Sequence, residues 1–210
     1  MKSFTLANAI TVLRFILIIP FLYFLFLKEG NFLGLKEFSA KLTSLIIFVF
    51  ASATDYFDGY IARIYKEESK LGKFLDPLAD KFLVASALIA FIQLEPDLIP
   101  YWMVLLIILR EFIITALRIT ALNQSRELET MKLGKTKTTL QLLTIIIILF
   151  FFVLKSHYYP SAPISLEKFL SEGGEYVIYT PFLLMLLTTI ITVVSGVRYL
   201  IKNRVLFIGE

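Results

Sequence analysis

The apolar residues of this chain come in unbroken blocks, each long enough to cross the hydrocarbon core of a bilayer, which takes roughly 20 residues of helix. A soluble domain scatters its apolar residues at helical or strand spacing. Here hydrophobic residues make up 58% of 210 positions. The mean hydropathy is +0.78. Inside lipid the backbone must satisfy its own hydrogen bonds, and these blocks are too long for the strands of a barrel. The expected fold is all-α and polytopic, with six transmembrane helices. The spans are expected from about Asn8 to Leu27 (bent at Pro20), Lys41 to Arg63, Phe74 to Leu94, Pro100 to Leu122, Gly134 to Lys155, and Val177 to Lys202.

Between the last two, Ser156 to Glu175 carries Pro160, Pro163, Gly173 and Gly174 and reads as an external loop. The first block has no small-residue cleavage site after it, and Arg14 interrupts it, so it reads as a retained helix. No internal repeat or linker divides the chain, so residues 1–210 are expected to form one membrane domain. There is no cysteine, which removes disulfide and thiolate chemistry.

Charge placement orients the six spans. Lys2, Arg63, Lys66, Lys70, Lys73, Arg126, Lys132, Lys135, Lys137, Arg198, Lys202 and Arg204 fall on one side, twelve in all. Only five, Lys28, Lys36, Lys41, Lys155 and Lys168, fall on the other. The positive-inside rule then puts both termini in the cytoplasm. The net charge of +4 follows from this bias and does not call for nucleic acid as a partner. A bacterial inner membrane is the expected location.

Several charges fall inside the spans, where one at the bilayer centre costs about 2.5–3.5 kcal/mol and marks a functional site by default. They are Arg14, Lys81, Arg110, Arg118, Asp55, Asp58, Asp76, Asp80 and Glu111. Asp55 and Asp58 are three apart, Asp76 and Asp80 four apart, so each pair shares a helix face. A short loop joins the two helices, so four carboxylates can converge. Alone they would repel, and divalent cations remove the conflict; hard oxygen donors suit Mg²⁺ or Mn²⁺. Two such ions close together form a clamp for phosphoryl transfer. Gly59 and Ala62 are small enough to let a ligand approach the backbone, and Arg63 supplies a fork for phosphate. Gly72 is expected to turn the loop, and Pro77 to lie in the first turn of helix three.

The string Asp55-x-x-Asp58-Gly59-x-x-Ala62-Arg63, eight residues, Gly72, three residues, Asp76, three residues, Asp80 resembles the signature of the CDP-alcohol phosphotransferase family at all eight positions. The resemblance implies a six-helix membrane protein, commonly a homodimer, with a polar cavity open to the cytoplasm. It implies that an alcohol displaces CMP from a CDP-linked lipid. Asp55, Asp58 and Asp76 would be metal ligands. Asp80 would be the general base, with contact to a second metal. Gly59, Ala62 and Arg63 would line the cytidine diphosphate site.

Three further stretches resemble the phosphatidylglycerophosphate synthase branch: Asn8-Ala-Ile-Thr11-Val-Leu-Arg14, the Arg110-Glu111 pair with Arg118, and Gly134-Lys135-Thr-Lys137-Thr138-Thr-Leu-Gln141. The segment Asp76-Pro-Leu-Ala-Asp80-Lys81 does so too. The external loop and the sixth helix carry little of the likeness. This branch takes CDP-diacylglycerol and glycerol 3-phosphate, whose phosphate needs a positive pocket beyond the metals. Arg110, Arg118, Lys135 and Lys137 are the candidates, helped by the amide groups at the start of helix five. Asn8 and Thr11 are candidates for the CDP-lipid, although polar residues at a helix start are often caps. Glu111 is expected to neutralise one of the arginines, and Lys81 and Arg14 to be structural partners of acids or headgroups. His157 is given no role.

Two rival classes share these features. A sibling enzyme would use inositol phosphate, serine or phosphatidylglycerol as acceptor with the same apparatus. An ion-coupled transporter would also bury carboxylates, but it would not need Arg63 and would be expected to show repeat halves.

Overall fold

The computed structural model describes residues 6–28, 34–65, 70–123, 132–158 and 179–203; side chains are described over 11–28, 34–54, 78–79, 81–121, 137–157 and 179–203. Six helices carry the described chain: α1 (Leu6–Phe26), α2 (Glu37–Tyr65), α3 (Lys70–Leu94), α4 (Tyr101–Asn123), α5 (Lys132–Tyr158) and α6 (Thr180–Lys202). Among the described residues there is no strand.

Most helices outrun their expected spans. α1 begins at Leu6 rather than Asn8, and α2 runs from Glu37 to Tyr65 rather than from Lys41 to Arg63. α5 begins at Lys132 and continues to Tyr158, so Ser156 and His157 are helical and not in a loop; the rest of that expected loop lies outside the described residues. α3 begins at Lys70, which puts Gly72 in its first turn and Pro77 in its interior, not in a loop and a first turn. The physical reason is common to all. Apolarity marks the stretch that lipid can cover, whereas a helix persists into polar residues as long as its hydrogen bonds continue. Pro20 stays inside α1.

Three helices are long and apolar enough to cross a membrane by length and composition: α2 over Glu37–Thr54, α5 over Lys137–His157, and α6 over Thr180–Lys202. Thr11–Phe26 and Lys81–Leu94 are shorter apolar stretches. In α4, Arg110, Glu111 and Arg118 interrupt the apolar run.

The helices pack as a closed ring in the order α1, α2, α5, α6, α4, α3, with α3 also touching α2 and α5. α1 and α2 are antiparallel. Arg14 meets Thr54 near one end (Nε to Oγ1, 3.4 Å), Ser44 donates to the Phe21 carbonyl (3.2 Å), and Lys41 reaches the Leu25 carbonyl at the other end. That last bond satisfies a carbonyl in the final turn of α1, one of the acceptors a helix end leaves open. α3 and α5 run parallel, with Phe91 edge-on to Phe152 at 5.4 Å and Glu95 paired with Lys155. His157 stacks against Phe38 at 5.0 Å, which closes the same end of α2 on α5.

The inward faces change character along their length. One end of the ring holds a dry core of Phe21, Leu25, Phe48, Phe91, Met103, Ile148, Phe152 and Met185. Toward the other end the same faces turn polar: Thr11 and Arg14 on α1, Thr54 on α2, Lys81 on α3, Glu111 on α4, Lys137, Gln141 and Thr144 on α5, and Thr192 and Ser195 on α6. The polar stretch lies in the first half of α1, α3 and α5, at the middle of α4, and in the second half of α2 and α6. An up-and-down bundle produces that alternation.

Candidate functional site

The backbone places the carboxylate segments at matched height. Asp58 lies seven residues before the end of α2 at Tyr65, and Asp76 six residues after the start of α3 at Lys70. Asp55 and Asp80 are each ten residues from those same termini. At 1.5 Å per residue, all four stand roughly 9–15 Å from the α2–α3 connection, on helices that touch. Their side chains lie outside the described ones, as do those of Asn8, Gly59, Ala62, Arg63 and Lys135. Among the described side chains no set of three His, Asp or Glu residues gathers for a metal. The chemistry of four Asp residues on two touching helices, all within roughly 9–15 Å of one connection, would suit Mg²⁺ or Mn²⁺.

The described side chains next to these segments form one buried ionic cluster. Lys81, which follows Asp80, places Nζ 3.0 Å from Glu111 Oε2. Arg110 Nη1 is 3.3 Å from Glu111 Oε1, and Lys137 pairs with the same oxygen. One carboxylate thus binds cations from α3, α4 and α5, where the sequence led us to expect a single arginine partner. Glu111 is 5% exposed and Lys137 1%, so the cluster sits in protein and not at a wetted interface. Lys81, Glu111, Gln141 and the apolar Val84, Leu88 and Ile107 close over a gap too tight for water.

Arg110 reaches a fourth helix. Its Nη2 donates to Ser195 Oγ on α6 (3.3 Å), and Gly196 lies against its stem. Nothing about Ser195 or Gly196 singled them out in the sequence. The available signal was periodicity: Thr188, Thr189, Thr192, Ser195, Gly196 and Tyr199 make one buried, mostly polar stripe along α6. Thr188 shares a 2.7 Å hydrogen bond with Thr144 of α5.

Arg118 stands apart from this cluster. Ile107, Glu111, Ile114 and Ala121 mark the buried stripe of α4. Arg118 falls in the middle of that stripe at helical spacing, yet it is exposed. Arg118 lies about two turns along α4 from Arg110 and Glu111. On α1, Thr11 (0% exposed) and Arg14 (1%) face the bundle, and Arg14 meets Thr54, the residue before Asp55. Lys81 pairs with an acid, as expected, whereas the partner seen for Arg14 is the Thr54 hydroxyl and not the expected acid or headgroup.

A CDP-alcohol phosphatidyltransferase domain matches residues 4–194. The chain is similar over nearly its whole length to a CDP-diacylglycerol–glycerol-3-phosphate 3-phosphatidyltransferase of Bacillus subtilis, 36% identical over 207 residues, 95% of each chain. It is 36% identical over 140 residues to a probable phosphatidylglycerophosphate synthase of Mycobacterium tuberculosis, covering 67% of this chain and 63% of that one. A Cereibacter sphaeroides protein with the same name as the Bacillus one is 35% identical over 153 residues, 68% of this chain and 62% of its own. With a match over that extent, the chain belongs to the CDP-alcohol phosphatidyltransferase family.

Proposed function

We propose that this protein transfers the phosphatidyl group of CDP-diacylglycerol to glycerol 3-phosphate, giving phosphatidylglycerophosphate and CMP. One observation carries the reading: the similarity to the Bacillus subtilis enzyme of that name runs through 95% of both chains and so includes the acceptor side as well as the aspartate motif. The chain acts as a single domain over residues 1–210, as a homodimer with six spans in a bacterial inner membrane and both termini cytoplasmic. The bacterial relatives and the twelve-to-five charge bias support the placement, and the family resemblance supports the dimer.

Asp55, Asp58 and Asp76, with Asp80 as a further ligand, would hold two Mg²⁺ or Mn²⁺ ions, which would supply positive charge to the pyrophosphate. Gly59, Ala62 and Arg63 receive the cytidine diphosphate, with Asn8 and Thr11 alongside from α1. Asp80 takes the proton from the acceptor hydroxyl. The freed oxygen bonds to the lipid-bearing phosphorus as the bond from that phosphorus to the CMP oxygen breaks. The acceptor's own phosphate, a dianion that must stay off the reacting centre, is held by Arg118 and Lys135, with Arg110 and Lys137 behind them. The exposure of Arg118 within an otherwise buried stripe supports that assignment.

The test is CMP release by purified protein in detergent–lipid micelles with CDP-diacylglycerol, Mg²⁺ and a panel of acceptors. Glycerol 3-phosphate is the expected acceptor, and release with inositol phosphate or serine in its place overturns the branch assignment. Within the same assay, Arg118→Ala and Lys135→Ala should each raise KM for glycerol 3-phosphate by about 10- to 150-fold, the worth of one charge-assisted hydrogen bond. KM for CDP-diacylglycerol should move much less. Equal loss of both substrates assigns these residues to the pyrophosphate.

A further inference from the structure

Arg110 is the half-buried arginine of α4, and the structure shows how its side chain is held. Three contacts come from two helices. Glu111 takes Nη1 at 3.3 Å and Ser195 takes Nη2 at 3.3 Å. Gly196 supplies the third: a methyl group built there would stand 2.8 Å from Arg110 Cγ, 3.3 Å from Nε and 3.6 Å from Cδ. All three nearest atoms belong to this one side chain. A distance of 2.8 Å to Cγ is a clash near the root of the side chain, where rotation of the distal bonds gives no relief. In a membrane bundle small residues usually let two backbones come close; at Gly196 the space is filled by an arginine stem.

The guanidinium is therefore fixed at both ends and along its stem, with two of its five N–H donors spent. Nε is buried and has no hydrogen-bond partner. A fork held in this way, with donors left over, is preorganised for a phosphate dianion, since little rotamer freedom remains to be lost on binding.

We propose that Ser195 and Gly196 of α6 form a seat that positions Arg110 for the phosphate of the acceptor, a role that rests on reading Arg110 as an acceptor-phosphate ligand. α6 is then part of the specificity apparatus through Arg110, without touching the substrate. Any family member with a side chain at the position of Gly196 would have to aim its arginine differently, and so would prefer another acceptor or bind this one weakly.

A double-mutant cycle on the full-length protein tests the seat. Arg110→Ala alone should raise KM for glycerol 3-phosphate by about 10-fold or more, with KM for CDP-diacylglycerol little changed. Gly196→Ala should reproduce that split by displacing the arginine. In the Arg110→Ala background, where Cγ is gone, Gly196→Ala should have no further effect on KM for the acceptor, because the clash it creates has no partner. Ser195→Ala adds no bulk and should give the same split at about 3- to 10-fold, which keeps the test open should Gly196→Ala not fold. If Gly196→Ala keeps its full effect without Arg110, or Ser195→Ala raises both KM values equally, α6 is a packing surface and the seat is wrong. If Arg110→Ala itself leaves KM for glycerol 3-phosphate unchanged, the reading of Arg110 as an acceptor ligand fails, and the seat falls with it.

Discussion

Replacing any one of Asp55, Asp58, Asp76 or Asp80 with Asn is expected to cut CMP release by about 10²-fold or more while the protein still inserts and purifies. The substitution keeps volume and polarity and removes only the charge. Asn is a neutral ligand, so a site that gathers divalent cations by summed carboxylate charge loses affinity at once. For Asp80 the loss has a second source, since general-base catalysis alone contributes about 10²–10⁴-fold. The two sources separate on titration with Mg²⁺. Recovery of Asp80→Asn at high Mg²⁺ makes that residue mainly a ligand, whereas a lowered ceiling with an unchanged Mg²⁺ requirement makes it the base. Near-normal turnover of Asp55→Asn or Asp76→Asn would sink the metal-site reading.

The other large effect is expected at Glu111, on stability. Its carboxylate pairs with Lys81, Arg110 and Lys137. Removing one partner of a buried ion pair costs about 3–5 kcal/mol. Glu111→Ala should therefore lower the melting temperature in detergent by on the order of 10 °C. Glu111→Gln keeps an acceptor oxygen and should fall between the two. A Glu111→Ala protein that melts with the wild type would mean that the cluster carries no structural weight.

The comparison of sequence with structure divides along physical lines. The aspartate motif stands out in the sequence because its spacing is local: two ligands on one helix face must be three or four residues apart, and the four side chains themselves lie outside the described ones. The all-helical character was legible because lipid imposes length and apolarity on whatever lies within it. Lys81 could be read as a partner for an acid, since a lone ammonium in a span has few alternatives. The number of cations on Glu111 could not be read, because it depends on three helices meeting at one oxygen pair. Gly196 was invisible for a related reason. A glycine in a membrane helix has many uses, and only the placement of Arg110 from another helix shows which one applies. Gly72 and Pro77 were misplaced because both are ordinary signals for a helix boundary, yet α3 runs through them. Gly costs only about 1 kcal/mol in a helix, and Pro can be tolerated where packing supplies the rest.

The closed ring has a consequence for biogenesis. α4 sits between α3 and α6, and the residues it needs are made at different times. When α4 emerges from the ribosome, Lys81 has already been synthesised, but Lys137 and Ser195 have not. On the six-span reading, a helix carrying Arg110, Glu111 and Arg118 enters lipid with its counterparts incomplete, at an insertion cost of about 2.5–3.5 kcal/mol for each central charge. Such a helix waits in the translocon, or beside it, until α5 arrives with Lys137 and α6 closes the ring. Chains truncated after α4 should be poorly inserted and quickly degraded, and the last helix to be made becomes the one that commits the whole molecule to the membrane.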